Sequence, residues 1–145
     1  YLAQEGIEYV RAMRDNEYLI AYRAGGEDIS NTAWNAFLNN ESSDASAITE
    51  CRFPKICTLD PVQNTTVPLT PCSGNSCTPL YLADNGTTNI YTQQTNLSGT
   101  VTAFTRTIQA IDVSLEDERI VSTVSWSFHG IPYSVTVTDH LTPWQ

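Results

Sequence analysis

Four cysteines, Cys51, Cys57, Cys72 and Cys77, are the residues whose type and spacing point most directly to chemistry. Two chemistries compete for them. Four thiolates can hold zinc, but zinc ribbons and fingers usually pair their ligands as Cys-x2-4-Cys with helix or hairpin support. Here the gaps within the pairs are five and four residues, and no histidine lies nearby. An even number of cysteines confined to the least regular stretch of a chain reads instead as two disulfides, closed in an oxidising compartment. Of the three possible connectivities, proximity favours Cys51–Cys57 with Cys72–Cys77. Each bridge is expected to contribute about 2–4 kcal/mol by restricting the unfolded chain.

The remaining reactive side chains form no catalytic set. His129 stands in a turn beside Gly130, and His140 follows Asp139 at a strand end; no Gly-x-Ser-x-Gly elbow offers either one a nucleophile. The carboxylates of Glu116-Asp117-Glu118, and of Asp84 next to Asn85-Gly86, lack the spaced oxygens and late glutamate of a calcium loop, so they read as solvated turns. Gly25-Gly26 is followed by Glu27 and Asp28, which would repel a phosphate. We therefore expect no enzyme activity, no cofactor and no metal. Nucleic acid is excluded as a partner by a net charge of -9, a single lysine (Lys55) and the absence of adjacent basic residues. Aromatic residues are the other candidate recognition groups. Trp126 falls on the apolar face of a strand and reads as core, whereas Tyr81, Tyr91 and Trp144 are freer to join Asn and Thr side chains in a weak adhesive contact. Sequons at Asn40, Asn64, Asn85 and Asn96 read as products of composition.

Elements that position these residues follow from periodicity. At 145 residues the chain is expected to form one domain. From Leu2 to about Asn16, Leu2, Ala3, Gly6, Ile7, Val10 and Met13 share one helical side, with Gln4, Glu5, Glu8, Arg11 and Asp15 opposite. Arg11 and Asp15 are spaced to pair. Glu17 would enter the apolar stripe, so the helix is expected to end near residue 17. Tyr1-Leu2-Ala3 offers no capping side chain and the chain begins without methionine, which leads us to expect a processed or truncated start. No run in the sequence is long and apolar enough for a membrane span.

Residues 18–100 are the variable part. Ser30 or Asn31 would cap a short helix through Ala33, Trp34, Phe37 and Leu38. A polar stretch runs from Asn39 to Ser46. The proline-rich segment from Cys51 to Pro79 reads as an irregular, disulfide-stapled surface region. Leu80-Tyr81-Leu82 and Ile90-Tyr91-Thr92 flank a hairpin turning at Asn85-Gly86. Residues 101–145 are expected to form a meander with period two from Thr102 onward, and a short tail from Asp139 to Gln145 with Leu141 and Trp144 available to pack. Phe104, Arg106, Ile108 and Ala110 share a face, and Ile111 and Val113 shift phase, as a bulge near Ala110 would produce. Ile120, Ser122, Val124, Trp126 and Phe128 line the next strand; Ile131, Tyr133, Val135 and Val137 line the last. This antiparallel meander under an amphipathic helix is an α+β domain, with the helix stripe buried on one sheet face.

Local strings carry a family resemblance. YLAQEGIEYVRAMRDN (Tyr1 to Asn16) resembles the segment that follows the hydrophobic helix in type IV pilin-like proteins of host-attached bacteria with reduced genomes. FTRTI (Phe104 to Ile108), VSTVSWSFHG (Val121 to Gly130) and YSVTVTDHLTPW (Tyr133 to Trp144) resemble the closing strands of the same proteins. The likeness covers both ends of the chain and little of its middle. It implies a pilin-like fold in which residues 1–17 are the C-terminal half of a long helix, and Leu2, Ala3, Gly6, Ile7, Val10 and Met13 serve helix and filament packing. It further implies a structural subunit, major or minor, of a type IV pilus that supports adhesion, host attachment and motility, or else a secretion-system pseudopilin. Other pilin subunits, a prepilin peptidase acting on the precursor, and a host surface or glycan would be its partners. A missing N-terminal helix would anchor it in the inner membrane before assembly at the cell surface. Many pilins close a disulfide loop near the C-terminus; here the cysteines lie mid-chain. A secreted carbohydrate-binding module remains the alternative of a different class.

Overall fold

A computed structural model describes residues 1–39, 48–60, 68–74, 76–84, 89–93 and 99–143. Helix α1 spans Leu2–Ala24 and α2 spans Ile29–Asn39; a single 3-10 turn follows at Ile48–Cys51. Eight strands follow among the described residues: β1 (Cys57–Leu59), β2 (Leu69–Pro71), β3 (Tyr81–Asp84), β4 (Asn89–Thr92), β5 (Gly99–Val101), β6 (Thr105–Ser114), β7 (Asp117–Phe128) and β8 (Ile131–Leu141). The architecture is α+β: a long N-terminal helix, antiparallel sheets and two disulfides.

Helix α1 runs past the expected end near residue 17 and stops at Gly25, whose φ of 73° suits a residue without Cβ. Glu17 is buried yet interrupts nothing, because the residues after it still favour a helix and the first true breaker is Gly25-Gly26. Neither Ser30 nor Asn31 caps α2. Asp28 does: its carbonyl accepts from the Thr32 amide at 3.0 Å, and its Oδ1 accepts from the Asn31 amide at 3.3 Å.

Strands β6, β7 and β8 form the expected meander, and β1 and β2 extend it to a five-stranded sheet in the order β2-β1-β6-β7-β8. Short strands thus occupy the segment that reads as irregular from its prolines and cysteines. A second sheet, β4-β3-β5, contains the expected hairpin, with Asp84 opposite Asn89. Its Asn85-Gly86 turn lies outside the described residues, as does the polar stretch over residues 40–46. The bulge sits between Asp112 and Ser114, not at Ala110: the β6–β7 register is unbroken from Thr105↔Ser125 through Asp112↔Glu118.

Packing follows the alternation. Ile108, Ala110, Ile120 and Leu141 point from the sheet towards Ile7 and Val10 of α1; Trp34 and Phe37 of α2 and Ile48, Leu59 and Leu69 close the same core. Each fully buried aliphatic side chain of this kind contributes about 1.5–3 kcal/mol relative to exposure. Cys51–Cys57 lies within that core, whereas Cys72–Cys77 is half-buried.

Three polar devices tie the layers together. Arg106, fully buried on the helix side of β6, donates to Glu5 of α1 at 2.6 Å and to the Leu59 carbonyl at 2.9 Å. Arg52 forms a two-pronged pair with buried Glu118, at 3.0 and 2.7 Å; these hydrogen bonds hold its guanidinium pKa above the usual value, against the opposing effect of burial. Glu118 is therefore the first inward-facing residue of β7 and not part of a solvated turn. Gln93 joins the two sheets. Its Oε1 accepts from the Leu59 amide at 2.9 Å, and its Nε2 donates to the Thr78 and Arg106 carbonyls at 2.8 and 3.0 Å. Beside it, Asp60 accepts from the Thr92 hydroxyl at 2.6 Å and the Gln93 amide at 3.0 Å.

Candidate functional site

The path of α1 over the sheet defines the surface of interest. Register places residues of β6, β7 and β8 in cross-strand rows: Arg106, Val124 and Val135; Ile108, Ser122 and Val137; Ala110, Ile120 and Asp139. Glu5 meets the first row through Arg106. Gly6 lies on the second, so close that a Cβ there would collide with the Ser122 hydroxyl and approach Ile108 Cδ1 at 3.1 Å. Arg11 reaches the third through Asp139 at 2.8 Å, a hydrogen bond that raises its pKa. Arg14 then donates to the Thr142 carbonyl at 3.3 Å. Successive contacts along α1 thus fall on successive rows of the sheet.

Two further rows of the same face precede the first. Trp126 and Tyr133 are register partners whose rings stack at 5.8 Å and 17°, and Phe104 packs against Trp126 at 5.8 Å. Phe128 and Ile131 end the hairpin. In front of the first turn of α1 nothing among the described residues covers this end: Phe128 is 61% exposed, Ile131 56%, Val135 50% and Tyr133 44%. Those four side chains leave on the order of 400 Å² of apolar surface open to water, within the range in which a patch on a soluble domain is often functional. His129, at φ 51°, stacks on Phe128 at 4.2 Å and completes the rim.

The opposite face of the sheet is hydroxylated. Thr105, Thr107, Thr123, Ser125, Ser134, Thr136 and Thr138 occupy it, with the Thr123 and Thr136 hydroxyls 3.0 Å apart. Ile111 and Val121 share that face with them, so the apolar side chains are concentrated, though not confined, on the α1 side.

Of the stripe residues, Ala3, Gly6, Ile7 and Val10 are buried against the sheet, Leu2 is half-buried and Met13 packs at the margin of the core. The polar side of the helix is not simply solvated, because Glu5 and Arg11 both reach across to the sheet. Arg11 pairs with Glu8 and Asp139, while Asp15 pairs with Arg14, so the i,i+4 pairing of Arg11 with Asp15 is replaced. The disulfides join Cys51 to Cys57 and Cys72 to Cys77, as proximity favours. Trp126 is not core: it is half-buried at the open end. Trp34 is buried and donates through its indole to the Leu115 carbonyl at 2.8 Å. Trp144 lies outside the described residues. His140 bonds Asp117 at 2.8 Å on the surface, remote from His129 at the other end of β8. Among the described residues no three His, Cys, Asp or Glu side chains converge, and no helix is long and apolar enough to cross a membrane.

Sequence reasoning passes over Arg106 as an ordinary member of its strand. A lone arginine between Phe104 and Ile108 on an inward face is nonetheless a signal for a buried ion pair. Gln93 and Asp60 carry no such mark, because their burial comes from the meeting of two sheets.

No protein-family model, no curated protein and no solved structure matches the chain.

Proposed function

We propose that this chain is the head domain of a structural, non-enzymatic subunit of a surface filament of the type IV pilin kind. In this reading α1 is the C-terminal half of a longer helix whose apolar upstream half bundles with those of other subunits. The observation that carries it is the partly open apolar row of half-buried Phe104 and Trp126 with exposed Tyr133, followed by exposed Phe128 and Ile131, in line with the N-terminal end of α1. A helix continued by two turns would lie over that surface, just as Gly6 and Val10 lie over the rows below. The two disulfides suit life outside the cytoplasm, where thiols oxidise.

Coding sequence upstream of Tyr1 tests the idea. A filament subunit requires about 20 predominantly apolar residues there, preceded by a short leader with a processing site. An upstream segment that is polar throughout would remove the proposal.

A second reading, a secreted glycan-binding module, has one observation in its favour: exposed Tyr133, stacked on half-buried Trp126, offers a flat aromatic surface of the kind sugar rings pack against. Saturable quenching of Trp126 fluorescence by an oligosaccharide, lost in Tyr133→Ala, would favour it over the filament head.

A further inference from the structure

The five-stranded sheet ends in two very different edges. At one side β2 has only three residues and includes Pro71. At the other side β8 has 11 residues, and among the described residues it pairs only with β7. Folded proteins normally blunt a long edge with lysine, proline, a bulge or a covering loop, since its free N–H and C=O groups template further pairing. β8 carries Pro132 at one end and, at the other, Asp139 and His140, which are held by Arg11 and Asp117. Between them Tyr133-Ser134-Val135-Thr136-Val137-Thr138 contains no charge, proline or glycine, and its pairing with β7 has no bulge. Residues 131–136 are all exposed. The composition is that of a strong strand former.

We propose that β8 is a self-association edge, pairing antiparallel with β8 of a second copy about a two-fold axis at Val135. Electrostatics favours this occupant and this position. A chain of net charge -9 repels its own copies; Ile131–Thr138 carries no formal charge, so two copies can meet there without placing carboxylates face to face. The register is also self-complementary. With Val135 opposite Val135, Tyr133 faces Val137 of the second copy on the apolar side, and Ser134 faces Thr136 on the hydroxylated side, each a favourable cross-strand pair. Antiparallel pairing sets the bare end of one sheet beside the half of its neighbour that α1 covers, so Tyr133 gains apolar surroundings while Ile131 stands opposite Asp139, whose charge Arg11 already balances. An edge-to-edge contact of this length buries less than a standard specific interface. The association is therefore expected to be weak and concentration-dependent, with a dissociation constant in the micromolar range. The hydrogen bonding uses the free edge of β8, although Ile131 and Tyr133 belong also to the apolar end ahead of α1; the dimer test reads association of residues 1–145 alone, so its failure would leave the filament proposal standing.

Sedimentation equilibrium of the 145-residue chain, with Val135→Lys and Val135→Glu, tests it. The parent chain should dimerise with rising concentration. Each variant alone should associate at least tenfold more weakly, because like charges oppose at the axis. An equimolar mixture of the two should recover mixed dimers. Val135 is half exposed, so neither substitution removes core packing. Should a variant lose its circular dichroism signature, amide exchange of the parent chain decides: outward amides of residues 131–137 should gain protection as concentration rises. A parent chain that stays monomeric to millimolar concentration overturns the proposal. So does a dimer insensitive to both charges, or amide protection that does not change with concentration.

Discussion

Replacing Gly6 by alanine tests the closeness of α1 to the sheet, and the outcome has a definite sign. On an open helical surface Gly→Ala stabilises by about 1 kcal/mol, because glycine pays more backbone entropy on folding. At Gly6 an added Cβ would collide with the Ser122 hydroxyl, lie 3.1 Å from Ile108 Cδ1 and stand 3.3 Å from Ser122 Cβ. Turning the serine hydroxyl away clears only the first of these, since Ile108 is fully buried and Ser122 Cβ is fixed by its strand. Overpacking of this kind costs about 1–3 kcal/mol. Set against the propensity gain, Gly6→Ala should forfeit the expected stabilisation and destabilise by up to about 2 kcal/mol, a drop of up to roughly 6 °C in Tm for a domain of this size. Ser122→Ala supplies the control. Its hydroxyl is buried without a hydrogen-bond partner, so removing it should be neutral or stabilising. The double variant should recover about 1 kcal/mol relative to the sum of the singles. Urea unfolding followed by tryptophan fluorescence gives all four corners of the cycle. If Gly6→Ala raises the stability by 1 kcal/mol, α1 does not lie against Ser122.

The ion pairs should respond according to which charge is left behind. Glu5→Ala strands fully buried Arg106 and should cost about 3–5 kcal/mol, more than Arg106→Met, which leaves a carboxylate that water can reach; by the same logic Arg52→Ala should cost more than Glu118→Gln in thermal melts. Mild reductant under native conditions should open Cys72–Cys77 before Cys51–Cys57, because only the former is within reach of solvent; alkylation and mass spectrometry identify the order. Removing Cys72–Cys77 should cost about 2 kcal/mol of unfolded-state entropy, whereas removing Cys51–Cys57 should cost more, through its place in the core. Gln93→Leu strands the Leu59 amide and two carbonyls, and should speed amide exchange in β3, β4 and β5 well before it affects β7.

Periodicity makes the meander legible in sequence, because Arg106, Ile108 and Ala110 on one strand and Ile120, Ser122 and Val124 on the next alternate cleanly over many residues. The amphipathic stripe of α1 reads equally well, but its end does not. Glu17 looks like a terminator on a helical wheel, whereas the chain stops only where Gly25 permits a positive φ. β1 is invisible for a physical reason: three residues beside a disulfide give no period, and their strand state comes from pairing with β6 and β2. Asp117 and Glu118 read as part of a charged turn because composition carries no information about Arg52, 66 residues away from Glu118 in sequence. The open apolar end is a different case. Trp126 has the alternation of a core residue, and whether it is covered depends on how far the helix reaches along the sheet, which no local pattern encodes.

Immunoelectron microscopy with antibodies raised against residues 1–145, on cells that make the protein and on a deletion strain, bears most directly on the filament proposal. If the domain is a filament head, gold should line thin surface fibres along their length, and both fibres and label should vanish in the deletion. Label spread over the envelope or the medium, with fibres unchanged in the deletion strain, would contradict it.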